Sequence, residues 1–216
     1  MASSIRRVVF PAAGGRPRLE GILHLPDGSP SARSPAAVVC HPHSLMGGSM
    51  ENGIVVAVCH ALTRQGIVAL RFNFRGVGRS EGTFDGGRGE MEDVAGAVDF
   101  LEVEERVDPQ RLAVVGYSFG AEVGMRHAAR DPRLKRIVAI APVREMYGWT
   151  GLDADPRPKL FVVGADDPWA PADALQAYVA RLAPPKALHI LPSTDHFFVG
   201  RERAVASLVA EFLTAW

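Results

Sequence analysis

The chain has 216 residues, of which 47% are hydrophobic and 22% charged, an ordinary globular composition with enough apolar material for a real core. Its 24 basic side chains balance 24 acidic ones, so nothing favours a polyanionic partner such as nucleic acid. No run approaches the roughly 20 apolar residues that cross a bilayer, and Arg6 and Arg7 precede no apolar stretch of signal-peptide length. The expectation is a single domain over 1–216, cytoplasmic, with no membrane partner.

In chain order, Ile5–Phe10 and Leu19–Leu25 read as strands separated by the Gly14-Gly15 turn. Ser29–Ser34 reads as a polar loop. Ala36–Cys40 is a continuous apolar run, the signature of a strand buried on both faces. Ile54, Val55, Val58 and Leu62 recur at helical spacing, and Gly66 ends that helix. A strand follows over Ile67–Phe74. The glycine-rich stretch Gly76 to Gly89 leads into a helix whose face is Met91, Val94, Val98 and Leu101. Leu112–Tyr117 is a strand and Phe119–Ala129 a helix. Ile137–Ala141 and Leu160–Gly164 are further strands. Leu175, Tyr178, Val179 and Leu182 mark a helix, Ala187–Leu191 the last strand, and Val205, Leu208, Val209 and Phe212 the final helix. Two opening strands followed by repeated βα units predict an α/β domain with a mostly parallel sheet covered on both faces. The ligand site of such a sheet lies at the carboxyl ends of its strands.

Cys40 lies in an apolar strand and Cys59 on an apolar helix. Both read as buried free thiols, which suit a reducing compartment.

The strongest site signal is Gly116-Tyr117-Ser118-Phe119-Gly120. A G-x-S-x-G that ends a strand and opens a helix forms a nucleophile elbow. The chain reverses sharply there, and a side chain at Gly116 or Gly120 would collide with neighbouring backbone. A serine hydroxyl needs a general base held by a carboxylate, and such elbows keep the chain order Ser, acid, His. Three histidines follow Ser118. His127 falls within the elbow's own helix and is turned away, and His189 lies inside a short strand. His196, in the loop after the last strand, is the expected base.

For the acid, Asp166 and Asp167 both follow the Leu160–Gly164 strand. Asp167 is preferred because Pro168 and Pro171 stiffen its loop. Glu145 is an outside candidate, and Asp195 reads as a solvated or turn-forming residue. One oxyanion donor is expected at the Phe119 N–H. A second is expected in the loop His41-Pro42-His43-Ser44-Leu45-Met46-Gly47-Gly48, at the N–H of either His43 or Leu45. His41 and His43 lack a third ligand at helpful spacing, so the loop predicts no metal site and His41 and His43 read as loop-orienting. No cofactor is expected.

Arg71-Phe72-Asn73-Phe74-Arg75-Gly76-Val77-Gly78-Arg79-Ser80 superficially suggests a phosphate loop. It has no Gly-Lys-Ser/Thr, and Glu81 stands where G-x-G-x-x-G needs its third glycine. It reads as a structural loop.

Taken together, His41–Met50, Arg71–Gly82, Gly116–Gly120, Gly164–Pro171 and Asp195–Gly200 resemble the corresponding segments of small, capless bacterial α/β-hydrolases related to the dienelactone hydrolase group. The resemblance spans nearly the whole chain. It implies the α/β-hydrolase fold, with an eight-stranded sheet whose second strand is antiparallel and no cap domain. It also implies a triad of Ser118, Asp167 and His196 and hydrolase or carboxylesterase activity on a small-molecule ester. The same triad would serve a thioesterase, acyltransferase or peptidase, and a non-catalytic hydrolase-fold binding protein can keep it. Dienelactone hydrolases proper use a cysteine nucleophile. This chain has Ser118 there, so their chemistry is not implied. Only Val143 to Pro158 separates two strands where caps are usually inserted, which leaves little room for a lid. Met146, Tyr147, Trp149 and Trp169 are expected to form an apolar rim for an acyl or alcohol group.

Overall fold

A computed structural model describes residues 4–27, 33–143 and 151–216. Eight strands make one sheet: β1 (Ser4–Pro11), β2 (Arg18–Leu25), β3 (Ser34–Cys40), β4 (Val68–Phe72), β5 (Val107–Tyr117), β6 (Leu134–Ile140), β7 (Lys159–Gly164) and β8 (Lys186–Leu191). Among the described residues five α-helices accompany them: α1 (Gly53–Arg64), α2 (Arg88–Glu102), α3 (Phe119–Ala128), α4 (Ala172–Arg181) and α5 (Glu202–Thr214). The strand order is β1-β2-β4-β3-β5-β6-β7-β8. β2 runs antiparallel to both neighbours, and the pairs from β4 through β8 are parallel.

The burial follows from the sequence. Ala36–Cys40 in β3 and every residue of β4 and β7 are buried, as strands covered on both faces must be. The chain moves one way from β3 to β4 and the opposite way from β4 to β5. Right-handed crossovers therefore put α1 on one face and α2, α3 and α4 on the other. α5 returns to pack on α1, and α2 packs on α3. The reversal opens a crevice beyond the carboxyl ends of β3 and β5, where Cys40 pairs with Gly116. A ligand is expected in that crevice.

Several boundaries differ from the sequence reading. β4 ends at Phe72 rather than Phe74. Asn73 still donates to the Glu20 carbonyl of β2 at 3.0 Å, but Ser80 Oγ stands between the Glu20 N–H (3.0 Å) and the Asn73 carbonyl (2.7 Å), and the Phe74 N–H turns to the His41 ring at 3.0 Å. α4 ends at Arg181. Leu182 is extended there (φ −67°, ψ 148°) and stays buried, so its apolar character serves the core without extending the helix. β5 and β6 each begin earlier than expected. Cys40 and Cys59 are both free and buried, and burial pushes the Cys59 thiol up to about 12. Among the described residues between β6 and β7 no helix or strand is inserted. No helix of the described residues is long and apolar enough to cross a membrane.

Candidate active site

Ser118 sits between β5 and α3 with φ 55° and ψ −117°, a backbone conformation that costs on the order of 1–3 kcal/mol and persists only where its surroundings enforce it. The enforcement is visible. The Ser118 N–H donates to the Ile140 carbonyl at 2.8 Å, and its carbonyl accepts from Ala121 at 2.9 Å and Glu122 at 3.2 Å. The flanking glycines have no room for a side chain. A Cβ at Gly116 would stand 2.2 Å from the Gly120 carbonyl oxygen, and one at Gly120 would stand 2.5 Å from those of Cys40 and His41. β3, β5 and α3 thus meet backbone to backbone under the serine.

His196 reaches the same point from the loop after β8. Its Nε2 is 2.9 Å from Ser118 Oγ, and its Nδ1 is 2.7 Å from Asp167 Oδ2. A carboxylate only accepts, so Nδ1 carries the ring proton and Nε2 presents its lone pair to the serine hydroxyl. The other carboxylate oxygen, Oδ1, accepts from the backbone N–H groups of Trp169 (2.9 Å) and Ala170 (2.8 Å). Asp167 is therefore fully engaged, and its side chain is wholly buried. Asp166 is exposed, its N–H donating to the Thr194 carbonyl at 2.9 Å. Asp195 is exposed and accepts from the Phe197 N–H at 3.0 Å, the turn-forming part expected of it. The Tyr117 hydroxyl donates to the His196 carbonyl at 2.8 Å. Burial pushes that phenol's pKa up, and the nearby Asp167 and Asp195 carboxylates push it the same way. Trp169 stands edge-on to the His196 ring at 4.9 Å.

The other histidines are placed elsewhere. His127 lies 3.1 Å from Asp131 on α3 and its neighbouring turn, and His189 is exposed on the edge strand β8. Among the described residues no group of three or more His, Cys, Asp or Glu gathers to hold a metal. His41 and His43 shape their loop. The His41 Nε2 accepts the Phe74 N–H, so its proton sits on Nδ1, which donates to the Pro42 carbonyl at 2.6 Å. Burial pulls this imidazole down to about 4, and it stays neutral. The His43 Nδ1 accepts the Leu45 N–H at 3.2 Å, and its ring packs against those of Phe84 and Phe119, 4.9 Å from each. Of the two expected loop donors, Leu45 therefore has its N–H engaged. The N–H groups of His43 and Phe119 have no hydrogen-bond partner among the described residues, and Phe119 is the first residue of α3, where the helix dipole favours negative charge.

A cavity of about 390 Å³ opens over the serine, and Ser118, Tyr117, His196, His43, Met46, Asn52, Trp169 and Phe197 are among its lining residues. Trp169 thus lines the cavity. Met146, Tyr147 and Trp149, with Glu145, lie outside the described residues. Sequence reasoning missed Met46, Asn52, Tyr117 and Phe197. Met46 and Phe197 carried a usable signal, since each is a large apolar residue in a loop that bears a site residue; the structure leaves both strongly exposed, at 78% and 58%.

The model of the X-Pro dipeptidyl-peptidase (S15) family matches residues 18–190. An α/β serine hydrolase homologue from Coxiella burnetii is 30% identical, with a TM-score of 0.84 over 95% of this chain and 96% of that one. An α/β serine hydrolase without lid from Xanthomonas campestris is 29% identical, with a TM-score of 0.85 over 100% of this chain and 96% of that one. A thiohydrolase from Arthrinium phaeospermum is 33% identical over 61% of this chain, which spans 41% of that protein's length. The chain belongs to the family matched by the S15 model and is a small α/β serine hydrolase without a lid.

Proposed function

We propose that the protein hydrolyses carboxylic esters through an acyl-enzyme on Ser118, with His196 as general base and Asp167 as the acid that orients it. The observation that carries this reading is the unbroken path from Asp167 Oδ2 through His196 to Ser118 Oγ, with contacts of 2.7 and 2.9 Å. In the first half-reaction His196 Nε2 takes the hydroxyl proton as Ser118 Oγ attacks the ester carbonyl. The oxyanion is held by the N–H groups of Phe119 and His43, which are preorganised for charge that appears only in the transition state. The imidazolium, stabilised by Asp167, then protonates the departing alcohol. Water repeats the sequence on the acyl-enzyme and frees the acid.

The cavity supports an uncharged, apolar substrate. Among the described lining residues no Asp, Glu, Lys or Arg faces it, so these residues offer no carboxylate to an ammonium group such as a dipeptide's amino terminus. Met46, Trp169 and Phe197 line it, and the exposed Leu45 and Val199 lie in the same two flanking loops. An acyl chain longer than the cavity would continue over apolar surface. Each methylene buried is worth ~0.8 kcal/mol. In an open cleft kcat/KM should rise roughly two- to fourfold per added carbon from p-nitrophenyl acetate to octanoate. Ser118→Ala should lose about 10,000-fold or more in kcat throughout the series. Full activity in that variant would refute the mechanism, and a flat series would refute the apolar subsite.

The likeness to a thiohydrolase favours one second reading, thioester cleavage on the same three residues. Acyl-CoA substrates assayed beside the matching p-nitrophenyl esters separate the two. A kcat/KM tenfold higher for the thioester would make that the primary activity.

A further inference from the structure

The segment Arg71–Ser80 is read above only as a structural loop, yet its contacts converge on one target. Phe74 follows β4 and donates its N–H to His41 Nε2 at 3.0 Å, at the start of the loop that carries the His43 N–H. Asn73 Oδ1 accepts the Met50 N–H at 2.8 Å, and Arg71 Nη1 donates to the Met50 carbonyl at 2.7 Å. Both backbone groups of Met50, at the far end of the same loop, are thus bound by two alternate residues of one strand end. Between those anchors the loop folds on itself. Met46 and Gly48 both donate to the His43 carbonyl at 3.0 Å, and a Cβ at Gly48 would stand 2.0 Å from the Pro42 oxygen.

The anchors are themselves braced. Asn73 Nδ2 donates to Glu20 Oε1 on β2 at 2.7 Å, and the same oxygen accepts the Arg79 N–H at 2.7 Å. Ser80 Oγ donates to the Asn73 carbonyl at 2.7 Å and accepts the Glu20 N–H at 3.0 Å. Arg71 Nε donates to His24 Nε2 at 3.0 Å. Arg71, Asn73 and His24 are buried, so these polar atoms meet each other instead of water and hold fixed positions. The ring of Phe74 packs against both His41 (4.7 Å) and Phe119 (5.9 Å), which ties the same strand end to the elbow.

We infer that Arg71–Ser80 is the positioning element of the oxyanion-binding loop, with Asn73 and Arg71 as positioning residues that act through Met50 on the His43 N–H. The inference rests on the mechanism proposed above. An oxyanion donor displaced by about 1 Å can cost on the order of 100-fold in rate, although nothing that binds the ground state is removed.

Asn73→Asp tests it. The variant keeps an oxygen for the Met50 N–H but sets a second carboxylate against Glu20. Its kcat on p-nitrophenyl butyrate should fall ten- to 100-fold with KM changed less than twofold. Affinity for an alkyl boronic acid, whose tetrahedral adduct carries the negative charge, should fall in parallel. Adding Glu20→Gln removes the like charge and sets an amide against the carboxylate, while the Arg79 N–H loses its acceptor, so it should recover part of both losses. If N73D does not fold, Arg71→Met reads the same clamp through the Met50 carbonyl against the same thresholds. The clamp is overturned if kcat and boronate affinity stay within twofold of wild type. It is also overturned if KM rises as much as kcat falls, or if the double variant recovers nothing. Fluorophosphonate labelling of the wild type checks the underlying mechanism separately. Absence of Ser118 labelling overturns that mechanism and this inference with it, whereas labelling with unaltered N73D kinetics overturns the clamp alone.

Discussion

Asp166 and Asp167 are sequence neighbours with opposite surroundings. Asp167 is buried, with one oxygen on His196 and the other on two backbone N–H groups, while Asp166 faces solvent. Under the proposed mechanism Asp167→Asn removes the acceptor that fixes the His196 tautomer, and kcat should drop about 10,000-fold. Asp166→Asn should leave it within twofold. Steady-state kinetics of the two variants on one ester checks the assignment, and equal losses would contradict it. The sequence preferred Asp167 to Asp166, with Glu145 an outside candidate, on the stiffness that Pro168 and Pro171 lend its loop. Successive side chains of an extended segment point to opposite sides, and which side faces the site needed the folded chain. Ser118 and His196 were easier to find, because a glycine-bounded strand-to-helix turn and a histidine in the final loop are both local features. Asn52 reaches the cavity through tertiary packing, which no local pattern encodes.

At the scale of elements, three junctions hold the site: β3 against the elbow and β7 against the loop bearing His196, both backbone to backbone, and the end of β4 against the oxyanion loop, through side chains. The second junction turns on Gly164, where a Cβ would stand 2.1 Å from the Thr194 carbonyl oxygen. Gly164→Ala must push that loop away from β7, and with it His196 from Asp167. Overpacking against backbone should cost ~3 kcal/mol of stability. Urea unfolding would show this as a lowered midpoint, and an unchanged midpoint would mean that the loop can yield. The βα alternation that builds these junctions was legible from apolar runs alone. The strand ends were not. β4 stops at Phe72 because Ser80 Oγ comes between Glu20 and Asn73 and the Phe74 N–H is drawn to His41, contacts between residues 60 and 33 positions apart. For the same reason Arg71–Ser80 read as a plain loop although it ties β2, β4 and the oxyanion loop together.

For the whole molecule, the two buried neutral histidines set an acid limit. Burial pulls His41 down to about 4. Burial, reinforced by Arg71 and His60, does the same to His24. Unfolded, each would titrate at ~6.5, so between about pH 6.5 and 4 the unfolded chain binds more protons than the folded one. Stability is then full above that window and is lost as the pH falls through it. For His41 the loss is of the order of 3 kcal/mol. The urea midpoint should fall between pH 6.5 and 4. It should fall less in His24→Gln, which keeps an acceptor for Arg71 without titrating. A midpoint independent of pH in this window would show that these imidazoles are not held neutral. The resemblance implied the antiparallel second strand and the eight-stranded sheet. The strand order, and with it the crevice at the ends of β3 and β5, needed the folded chain, because the run of βα units does not say on which side each new strand is laid.

The central claim is that Ser118 is an activated nucleophile in an open cleft, and intact-mass spectrometry after treatment with a fluorophosphonate tests it most directly. The proposed mechanism predicts one adduct on the wild type, located at Ser118, and none on Ser118→Ala or on wild type already occupied by a boronic acid. An unlabelled wild type, or an adduct that persists in Ser118→Ala, would contradict it.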